Sequence, residues 1–261
     1  MSTIRIAVIG AAGRMGSSIL ENAAARDDLE ISTAIVSPDH SGDSILSPAE
    51  VEATDDLDTL AGADVAVDFS APSAFVDAAC RCAELEIPLV SGTTGLTAEQ
   101  WATVDEASRK IALLYAANFS VGINLLANLV QRAASGFGDA VDIEIFEAHH
   151  RHKVDAPSGT AKLLARAAAK GRNLDIDEVA RWSREGHTGP RSDDEIGFQV
   201  LRGGDIVGEH TAYFCVDGER LELTHRATDR GIFARGALRA AKWIVGRPAG
   251  RYEMSDMLFG E

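Results

Sequence analysis

The chain is poor in cysteine, in lysine and in long apolar runs. Of its 261 residues, three are cysteine and five are lysine. A sparse, odd set of cysteines argues against a disulfide framework and favours a reducing cytoplasm. No apolar run reaches the length of a membrane span. The apolar residues near the start run directly into a glycine turn, so we interpret them as a first strand and not as a signal peptide.

Basic charge is also scarce. Forty acidic residues against 25 basic ones give a formal net charge of −15. This balance disfavours binding of nucleic acid over a broad surface. An acidic, lysine-poor surface is typical of proteins from salt-loving organisms. The alternative is that a GC-rich coding sequence favours arginine codons over lysine codons; we favour the first interpretation. With either interpretation, the net charge gives information about the solubility of the protein and not about any reaction that it catalyses.

Strands and helices alternate over about the first 118 residues. Apolar runs predict strands, and helices are expected from residue 15, from Pro72 and after a capping box of Thr97 and Gln100. The predicted strands are 4–9, 30–36, 65–68, 88–91 and 111–115. This order predicts an α/β fold with a Rossmann-like, doubly wound parallel sheet, which binds ligands at the carboxyl ends of its strands. We expect residues 1–120 to form this dinucleotide-binding domain.

The pattern changes after residue 120. Two helices, 121–134 and 158–170, accompany strand-like stretches in an order that predicts an α+β domain with a mixed or antiparallel sheet. The predicted strands are 142–148, 197–202, 208–216 and 220–227. A final helix at 232–245 has to pack elsewhere, and we expect the segment 231–261 to complete the first domain. The second domain is then 121–230.

Residues 10–16 read GAAGRMG and connect the first strand to the first helix. Gly10 can form the tight turn, Gly13 lets the backbone approach a ligand, and the helix N-terminus suits a pyrophosphate. Ala12 replaces the middle glycine of the common G-x-G-x-x-G pattern. Glycine turns also close strand–helix connections that bind nothing, but a position at the first strand of a βαβ series favours a dinucleotide.

The sequence leaves the choice between NADPH and NADH open. An NAD site usually has an acid at the end of the second strand, which accepts from the ribose 2′-OH. Here that strand ends in Val36-Ser37-Pro38-Asp39, and Asp39 is either a late acid or a turn residue. Arg14 either pairs with the 2′-phosphate of NADP or lies solvated at the helix start.

A second cluster of functional residue types is the stretch EAHHRHKVDAPSGTA at 147–161. Its three histidines are potential zinc ligands, but Arg151 and Lys153 would repel a cation, so the cluster suits an anionic substrate better. Ser158 can cap the helix that follows, and its first turn is a potential carboxylate site. The alternative is a solvated basic loop that happens to precede an ordinary capped helix. This alternative is less favoured because the basic loop and the helix start are directly adjacent.

These residue types suit a reduction. Histidine titrates near about pH 6.5 and carries protons at neutral pH, and lysine can donate a proton or hold negative charge. A dinucleotide supplies hydride. Hydride reduction of a conjugated imine leaves negative charge on the substrate, which must then be protonated. Histidine, lysine and a carboxylate-binding helix end together fit that reaction.

Six motifs in this order resemble the dihydrodipicolinate reductase family, also called 4-hydroxy-tetrahydrodipicolinate reductases. They are GAAGRMG at 10–16, SGTTGL at 91–96, AANFSVG at 116–122, EAHHRHKVDAPSGTA at 147–161, GDIVGEHT at 204–211 and the ending from 221 to 236. The resemblance spans nearly the whole chain. It implies reduction of 4-hydroxy-tetrahydrodipicolinate to tetrahydrodipicolinate, with loss of water, by NADPH or NADH in the diaminopimelate route to lysine.

The resemblance also implies residue roles. His149 would be the acid/base residue and Lys153 the proton donor, while His150, Gly159 and Thr160 would bind the dicarboxylate substrate. The residues that would bind the cofactor are Gly10, Ala11, Ala12, Gly13, Arg14, Met15, Gly92, Thr93, Thr94, Ala116, Ala117, Asn118 and Phe119. No metal, membrane or nucleic-acid site is expected.

Assembly and the competing functions complete these expectations. The family is commonly a homotetramer built through the sheet of the second domain, and its C-terminal helix returns to the cofactor domain. Many members carry an acid at the end of the second strand, where this chain has Val36-Ser37. Two other functions compete: a dehydrogenase of another small dicarboxylate or amino acid, and an inactive cofactor-sensing regulator. A sensor has no need of a proton donor such as Lys153.

Overall fold

The chain divides into two compact units, which we call the first and second unit. The first comprises Met1–Val121 with Gly231–Glu261, and the second comprises Gly122–Arg230. A computed structural model describes residues 3–42, 44–45 and 51–260. Among these residues, no helix is both long and apolar enough to cross a membrane.

Strands and helices follow one another along the chain. The strands are β1 (Ile4–Ile9), β2 (Leu29–Ile35), β3 (Ser44–Ile45), β4 (Val51–Thr54), β5 (Val65–Asp68), β6 (Leu89–Ser91), β7 (Ala112–Tyr115), β8 (Asp142–His149), β9 (Ala180–Arg181), β10 (Ile196–Arg202), β11 (Gly208–Val216), β12 (Glu219–Ala227) and β13 (Gly250–Tyr252). The helices are α1 (Arg14–Ala24), α2 (Pro72–Leu85), α3 (Ala98–Ser108), α4 (Val121–Phe137), α5 (Gly159–Gly171), α6 (Ile176–Val179), α7 (Gly231–Ile244) and α8 (Met254–Phe259).

The first unit is built on a twisted, mostly parallel sheet. Its strand order is β13-β7-β6-β5-β1-β2-β4-β3, and β3 alone among these strands is antiparallel to its neighbour. The chain starts in the middle, at β1, and winds outward first to one edge and then to the other. The carboxyl ends of β1, β5, β6 and β7 therefore meet along one edge, where doubly wound sheets bind ligands. The predicted α/β fold is confirmed.

Helices cover both faces of this sheet because its strands are apolar on both sides. One core joins Ile6 and Val8 of β1 to residues of α1 and α7, among them Leu20 and Ala237. The other joins the opposite face to α2 and α3, with Phe75 fully buried. The alanine-rich face of α7 allows close approach to the sheet.

The second unit has a mixed sheet of order β12-β11-β8-β10-β9, as predicted for this half. β8 runs parallel to β10 and antiparallel to β11. The Asp217-Gly218 turn joins β11 to β12, and Gly218 has φ +86°, which suits glycine. Helices α4 and α5 bury their apolar residues against Ile143 and Ile145 of β8.

Several short elements differ from the sequence prediction. The helix predicted at 232–245 is α7, but the segment 231–261 also contains β13 and α8, which were not predicted. β4 was not predicted, and the stretch 172–195, expected to be irregular, contains α6 and β9. These elements have two to six residues, too few to show a periodicity that reveals a strand or helix, so contacts with neighbouring elements decide them.

Candidate active site

The glycine turn between β1 and α1 has the geometry of a ligand-binding loop. Gly10 has φ +78°, and a Cβ there would lie 2.5 Å from the carbonyl oxygen of Phe69, so only glycine fits. The N–H groups of Gly10 and Ala11 donate to the Ile35 carbonyl at 2.9 and 3.0 Å. The N–H of Gly13 donates to the Gly10 carbonyl at 2.9 Å. The turn is thus held mainly by backbone hydrogen bonds, to which the Ser17 hydroxyl adds one, to the Ala11 carbonyl at 3.5 Å.

The N-terminus of α1 is open to a ligand. Gly13 is the N-cap and provides no side-chain cap, and the first turn contains no acidic residue. Ala12, Gly13 and Arg14 are exposed, and Met15 is half-buried. Gly16, in the first turn of α1, is buried. It is packed so closely against the turn that a Cβ there would lie 2.2 Å from the Gly10 carbonyl oxygen. The sequence prediction quoted Gly16 in its motif but gave it no role.

A buried polar network lies at the ends of β5 and β6, and the sequence reasoning missed it. Asp68 is fully buried, and its carboxylate accepts from the Ser91 hydroxyl at 2.6 Å and the Thr93 hydroxyl at 2.7 Å. The backbone N–H of Ser70 donates to the same carboxylate at 3.2 Å. Burial raises the pKa of Asp68, and these hydrogen bonds oppose the rise. The network anchors the loop that contains Gly92, Thr93 and Thr94.

The remaining predicted cofactor residues follow β6 and β7. The N–H of Ala116 donates to the Ser91 carbonyl at 3.1 Å, and the Asn118 side chain accepts from the Ser120 N–H at 2.8 Å. Ala117 is exposed, whereas Phe119 is buried with its ring 5.3 Å from that of Phe69.

Two further glycines allow close packing here. A Cβ on Gly92 would lie 2.2 Å from the Phe69 ring, and one on Gly236 of α7 would lie 1.8 Å from the Phe119 carbonyl oxygen. The predicted cofactor residues therefore share one edge of the sheet.

The end of β2 carries no acid. Val36 is buried, Ser37 is exposed, and Asp39 lies exposed in a 3-10 helix at Pro38–His40. Asp39 is thus part of the turn that closes this strand.

The second unit contains a buried carboxylate at the end of β8. Glu147 is fully buried, and Arg202 of β10 donates to both of its oxygens, at 2.8 Å to Oε2 and 2.9 Å to Oε1. Oε1 also accepts from the Ser158 N–H at 3.0 Å, and Oε2 is hydrogen-bonded to His149 Nδ1. Burial alone would raise the pKa of Glu147, but these hydrogen bonds outweigh it and hold the pKa at about 2.

His149 lies between this carboxylate and a second histidine. The His210 ring of β11 packs edge-on against His149 with centroids 5.1 Å apart. His210 Nε2 is 3.1 Å from the Ser158 hydroxyl, which also accepts from the Ala161 N–H at 3.1 Å. Burial lowers the pKa of His210 to about 3, and the charge of His149 adds to the effect, so His210 is neutral. Ser158 therefore caps α5, as predicted, and connects it to the histidines.

The other predicted substrate residues lie in the loop after β8 and at the start of α5. His150 Nε2 is 3.2 Å from Arg230 Nη2, and burial, together with the charge of Arg230, lowers the pKa of His150. Lys153 Nζ donates to Asp155 Oδ1 at 2.7 Å, which lowers the pKa of Asp155.

The helix start and the histidines share one network. Gly159 and Thr160 form the first turn of α5, directly after Ser158. Since Glu147 bonds both His149 and the Ser158 N–H, the carboxylate ties the predicted catalytic histidine to this helix start.

One group among the described residues has the spacing of a metal site. Potential ligand atoms of Glu147, His149 and His210 lie within 4.8 Å of one another. However, the Arg202 guanidinium bonds both oxygens of this carboxylate. A fixed cation at that position repels a metal ion, so the hydrogen-bonded arrangement explains the cluster better.

Three residues of this network were not assigned roles from the sequence. Glu147 and His210 occur only within quoted motifs, and Arg202 only as the last residue of a predicted strand. Each lies at a strand end, which is the signal that could have drawn attention to it. Their association depends on strand pairing: Arg202 lies opposite His149 and His210 opposite Glu147.

Comparison with known proteins gives a consistent match. A family model described as dihydrodipicolinate reductase, N-terminus, matches residues 4–119, and its C-terminus counterpart matches residues 122–258. The 4-hydroxy-tetrahydrodipicolinate reductase of Acinetobacter baumannii (strain AYE) is 47% identical, over 97% of this chain and 96% of that protein. The protein of the same name from Anaeromyxobacter sp. (strain Fw109-5) is 48% identical, over 98% and 97%.

A solved structure gives the same result for the fold. Dipicolinate-bound dihydrodipicolinate reductase from Paenisporosarcina sp. TG-14 superposes with a TM-score of 0.81 at 23% identity, covering 98% of this chain and 100% of that one. The two family models match consecutive halves of the sequence, and the relatives match over nearly full length. The chain therefore belongs to the dihydrodipicolinate reductase family.

Proposed function

We propose that this protein reduces 4-hydroxy-tetrahydrodipicolinate to tetrahydrodipicolinate with NADPH or NADH, in the diaminopimelate route to lysine. One hydride and one proton are added to the substrate and one water leaves. The observation that carries the proposal is the network of the second unit, in which one buried carboxylate joins His149 to the start of α5. In this proposal, the residue that transfers protons and the helix end that binds an anion would therefore be adjacent.

The first unit fits a dinucleotide. A pyrophosphate would lie at the N-terminus of α1, where Gly13 leaves the N–H groups without a side-chain cap and no acid opposes a negative charge. Arg14 at the same helix start adds positive charge. Gly92 to Thr94 and Ala116 to Phe119 would complete the site, held by the Asp68 network and by the packing on Phe69. Bound NAD(P)H supplies the hydride.

The second unit would bind the dicarboxylate substrate. One carboxylate would lie at the start of α5, on the N–H groups of Gly159 and Thr160 and on the Thr160 hydroxyl. A Cβ on Gly159 would meet nothing within 4 Å, so space is open beside this helix end. Arg230, 3.2 Å from His150, offers positive charge, and the two side chains together offer hydrogen-bond donors for the substrate.

His149 and Lys153 would move the protons. Reduction leaves negative charge on the substrate, and Lys153, a cation whose Nζ is held by Asp155, would donate the proton that neutralises it. His149 would act as the acid/base residue, since an imidazole ring has one nitrogen that can donate a proton and one that can accept it. Asp155 would hold the Lys153 ammonium in place through this hydrogen bond.

We propose a homotetramer assembled through the sheet of the second unit, in the cytoplasm. This sheet leaves apolar side chains exposed on β10 and β12, among them Val200, Leu201 and Leu221, which association would cover. The three described cysteines are free, which supports a reducing compartment. Light scattering after size exclusion should give four times 27.7 kDa, and a monomer mass would contradict the proposal.

The test of the activity is NADPH and NADH oxidation in a coupled assay, in which the preceding synthase supplies the substrate, at low and at molar salt. Turnover that depends on that substrate is expected. His149→Ala and Lys153→Ala should each lose turnover far more than cofactor binding. Normal turnover in both variants would refute their roles. Folded protein without turnover on either cofactor would favour another dehydrogenase or a regulator.

A further inference from the structure

The strongest arrangement without an assigned role is the environment of His149 on its Nδ1 side. Glu147 is acceptor-only because its pKa is held at about 2, so it is ionised at neutral pH. His149 Nδ1 is hydrogen-bonded to Glu147 Oε2 and therefore must carry the proton. In the neutral ring the lone pair then lies on Nε2.

The carboxylate is itself fixed from two other elements. Arg202 bonds both oxygens from β10, and the Ser158 N–H bonds Oε1 from the start of α5. Arg202 Nη2 also donates to the Asp155 carbonyl at 2.6 Å, which holds the guanidinium in place. A bidentate guanidinium–carboxylate pair resists rotation more than a single hydrogen bond does. Glu147 thus has one orientation.

The opposite side of the ring is kept open. A Cβ on Gly208 would lie 3.2 Å from His149 Nε2 and 3.4 Å from Cδ2, closer than ordinary contact. Glycine at this position of β11 therefore leaves room at the nitrogen that carries the lone pair.

We infer that Glu147 and Arg202 are positioning residues, which fix the tautomer and the orientation of His149 so that Nε2 is the nitrogen that exchanges protons with the substrate. This inference rests on the proposed function for the role of His149. The hydrogen bonds themselves, and the tautomer that they impose, do not depend on it.

Glu147→Gln is the informative variant because it keeps the shape of the side chain and replaces one acceptor oxygen by an NH₂ donor. The Oε1 position receives two fixed N–H donors, from Ser158 and Arg202 Nη2, whereas the Oε2 position receives one fixed donor, Arg202 Nη1, besides His149 Nδ1. The carboxamide oxygen should therefore take the Oε1 position. The amide NH₂ then occupies the Oε2 position and donates to His149 Nδ1. This places the proton on Nε2 and so inverts the tautomer.

The expected result is a fall in kcat of about 100-fold or more, because general acid–base catalysis contributes about 10²–10⁴-fold. The KM for NADPH should stay within twofold. The ¹⁵N chemical shifts of the His149 ring, assigned with His149→Asn, should show Nδ1 protonated in the wild type and Nε2 protonated in Glu147→Gln. A purely structural role would lower stability without inverting the tautomer.

The matched control is Glu144→Gln, on the same strand. It breaks the pairs of Glu144 with Arg184, at 2.6 and 2.9 Å, and leaves the surroundings of His149 unchanged. Its kcat should stay within twofold of the wild type. If Glu147→Gln does not fold, Arg202→Gln replaces it, since the carboxylate then loses its bidentate partner, and kcat should fall about tenfold.

The possible results distinguish a failure of the positioning role of Glu147 from a failure of the proposed function. If the wild type is active and the kcat of Glu147→Gln is within threefold of the wild-type value, the positioning role is refuted and the proposed function is retained. A wild-type ring protonated on Nε2 overturns the inference whatever the activity. Absence of turnover in the wild type contradicts the proposed function, while the measured tautomer still decides the arrangement.

Discussion

Replacing Gly16 by alanine tests whether the glycine turn is shaped for a dinucleotide. Gly16 lies in the first turn of α1, and a Cβ there would be 2.2 Å from the Gly10 carbonyl oxygen and 2.6 Å from Ala11 Cα. Both neighbours are backbone and cannot rotate away. The helix and the turn would have to separate by about 1.2 Å to reach ordinary contact at 3.4 Å.

The magnitude follows from two opposing effects. Overpacking of this size costs about 1–3 kcal/mol, and the better helix propensity of alanine returns up to about 1 kcal/mol. We expect a net loss of about 1–2 kcal/mol in the free energy of unfolding. The displaced turn should also weaken NADPH binding about tenfold or more, since about 1.4 kcal/mol of lost contact corresponds to tenfold in Kd.

The assay combines urea unfolding with a fluorescence titration of NADPH, at one protein concentration. Gly62→Ala is the matched control in the same unit, because a Cβ there would meet nothing within 4 Å. It should change stability by less than about 0.5 kcal/mol and leave Kd unchanged. A Gly16→Ala protein with wild-type Kd and wild-type unfolding would refute the reasoning about this turn.

Three other predictions follow from the polar networks. Asp68→Asn sets an NH₂ group against donors that now bond the carboxylate, so it should cost about 1–3 kcal/mol in urea unfolding and raise the Kd for NADPH; an unchanged Kd would show that the 92–94 loop does not depend on Asp68. Thr160→Val should mainly raise the KM for substrate, by about tenfold, in steady-state kinetics; a change confined to kcat would contradict a role in binding. The free energy of unfolding should decrease as the pH is lowered, because Glu147 becomes protonated. Its pKa is lowered from 4.5 to about 2, so its contribution, about 3 kcal/mol, is present above pH 4.5 and is lost as the pH falls towards about 2. Urea unfolding between pH 7 and pH 3 should show a drop in the wild type that Glu147→Gln lacks, and equal slopes would refute the ionised pair.

The main elements of the fold could be predicted because their patterns are long and local. The run at 4–9 forms β1 with the predicted bounds, and the capping box of Thr97 and Gln100 is present. Ser158 caps α5 with its hydroxyl. In each case the decisive contact joins residues within a few positions of one another. The short strands β4 and β13 escaped because a partner strand, distant in the sequence, creates them.

The site could be predicted only in part for the same reason. The histidine stretch and the glycine turn are continuous in sequence, so their chemistry is readable there. The partner of Glu147 is Arg202, 55 positions away, and that of Asp68 is Thr93, 25 positions away. An acid at the end of a strand has many possible partners, and only the pairing of β8 with β10, or of β5 with β6, selects one.

The central claim, hydride transfer to the substrate, is tested most directly by following the hydride itself. NADPH carrying deuterium at both C4 positions would be incubated with the enzyme and with substrate generated by the preceding synthase, and the product analysed by mass spectrometry. Tetrahydrodipicolinate heavier by one deuterium, formed by the wild type and not by His149→Asn, is the predicted result. Product without deuterium, or no product from a folded protein that binds NADPH and NADH, would contradict the account.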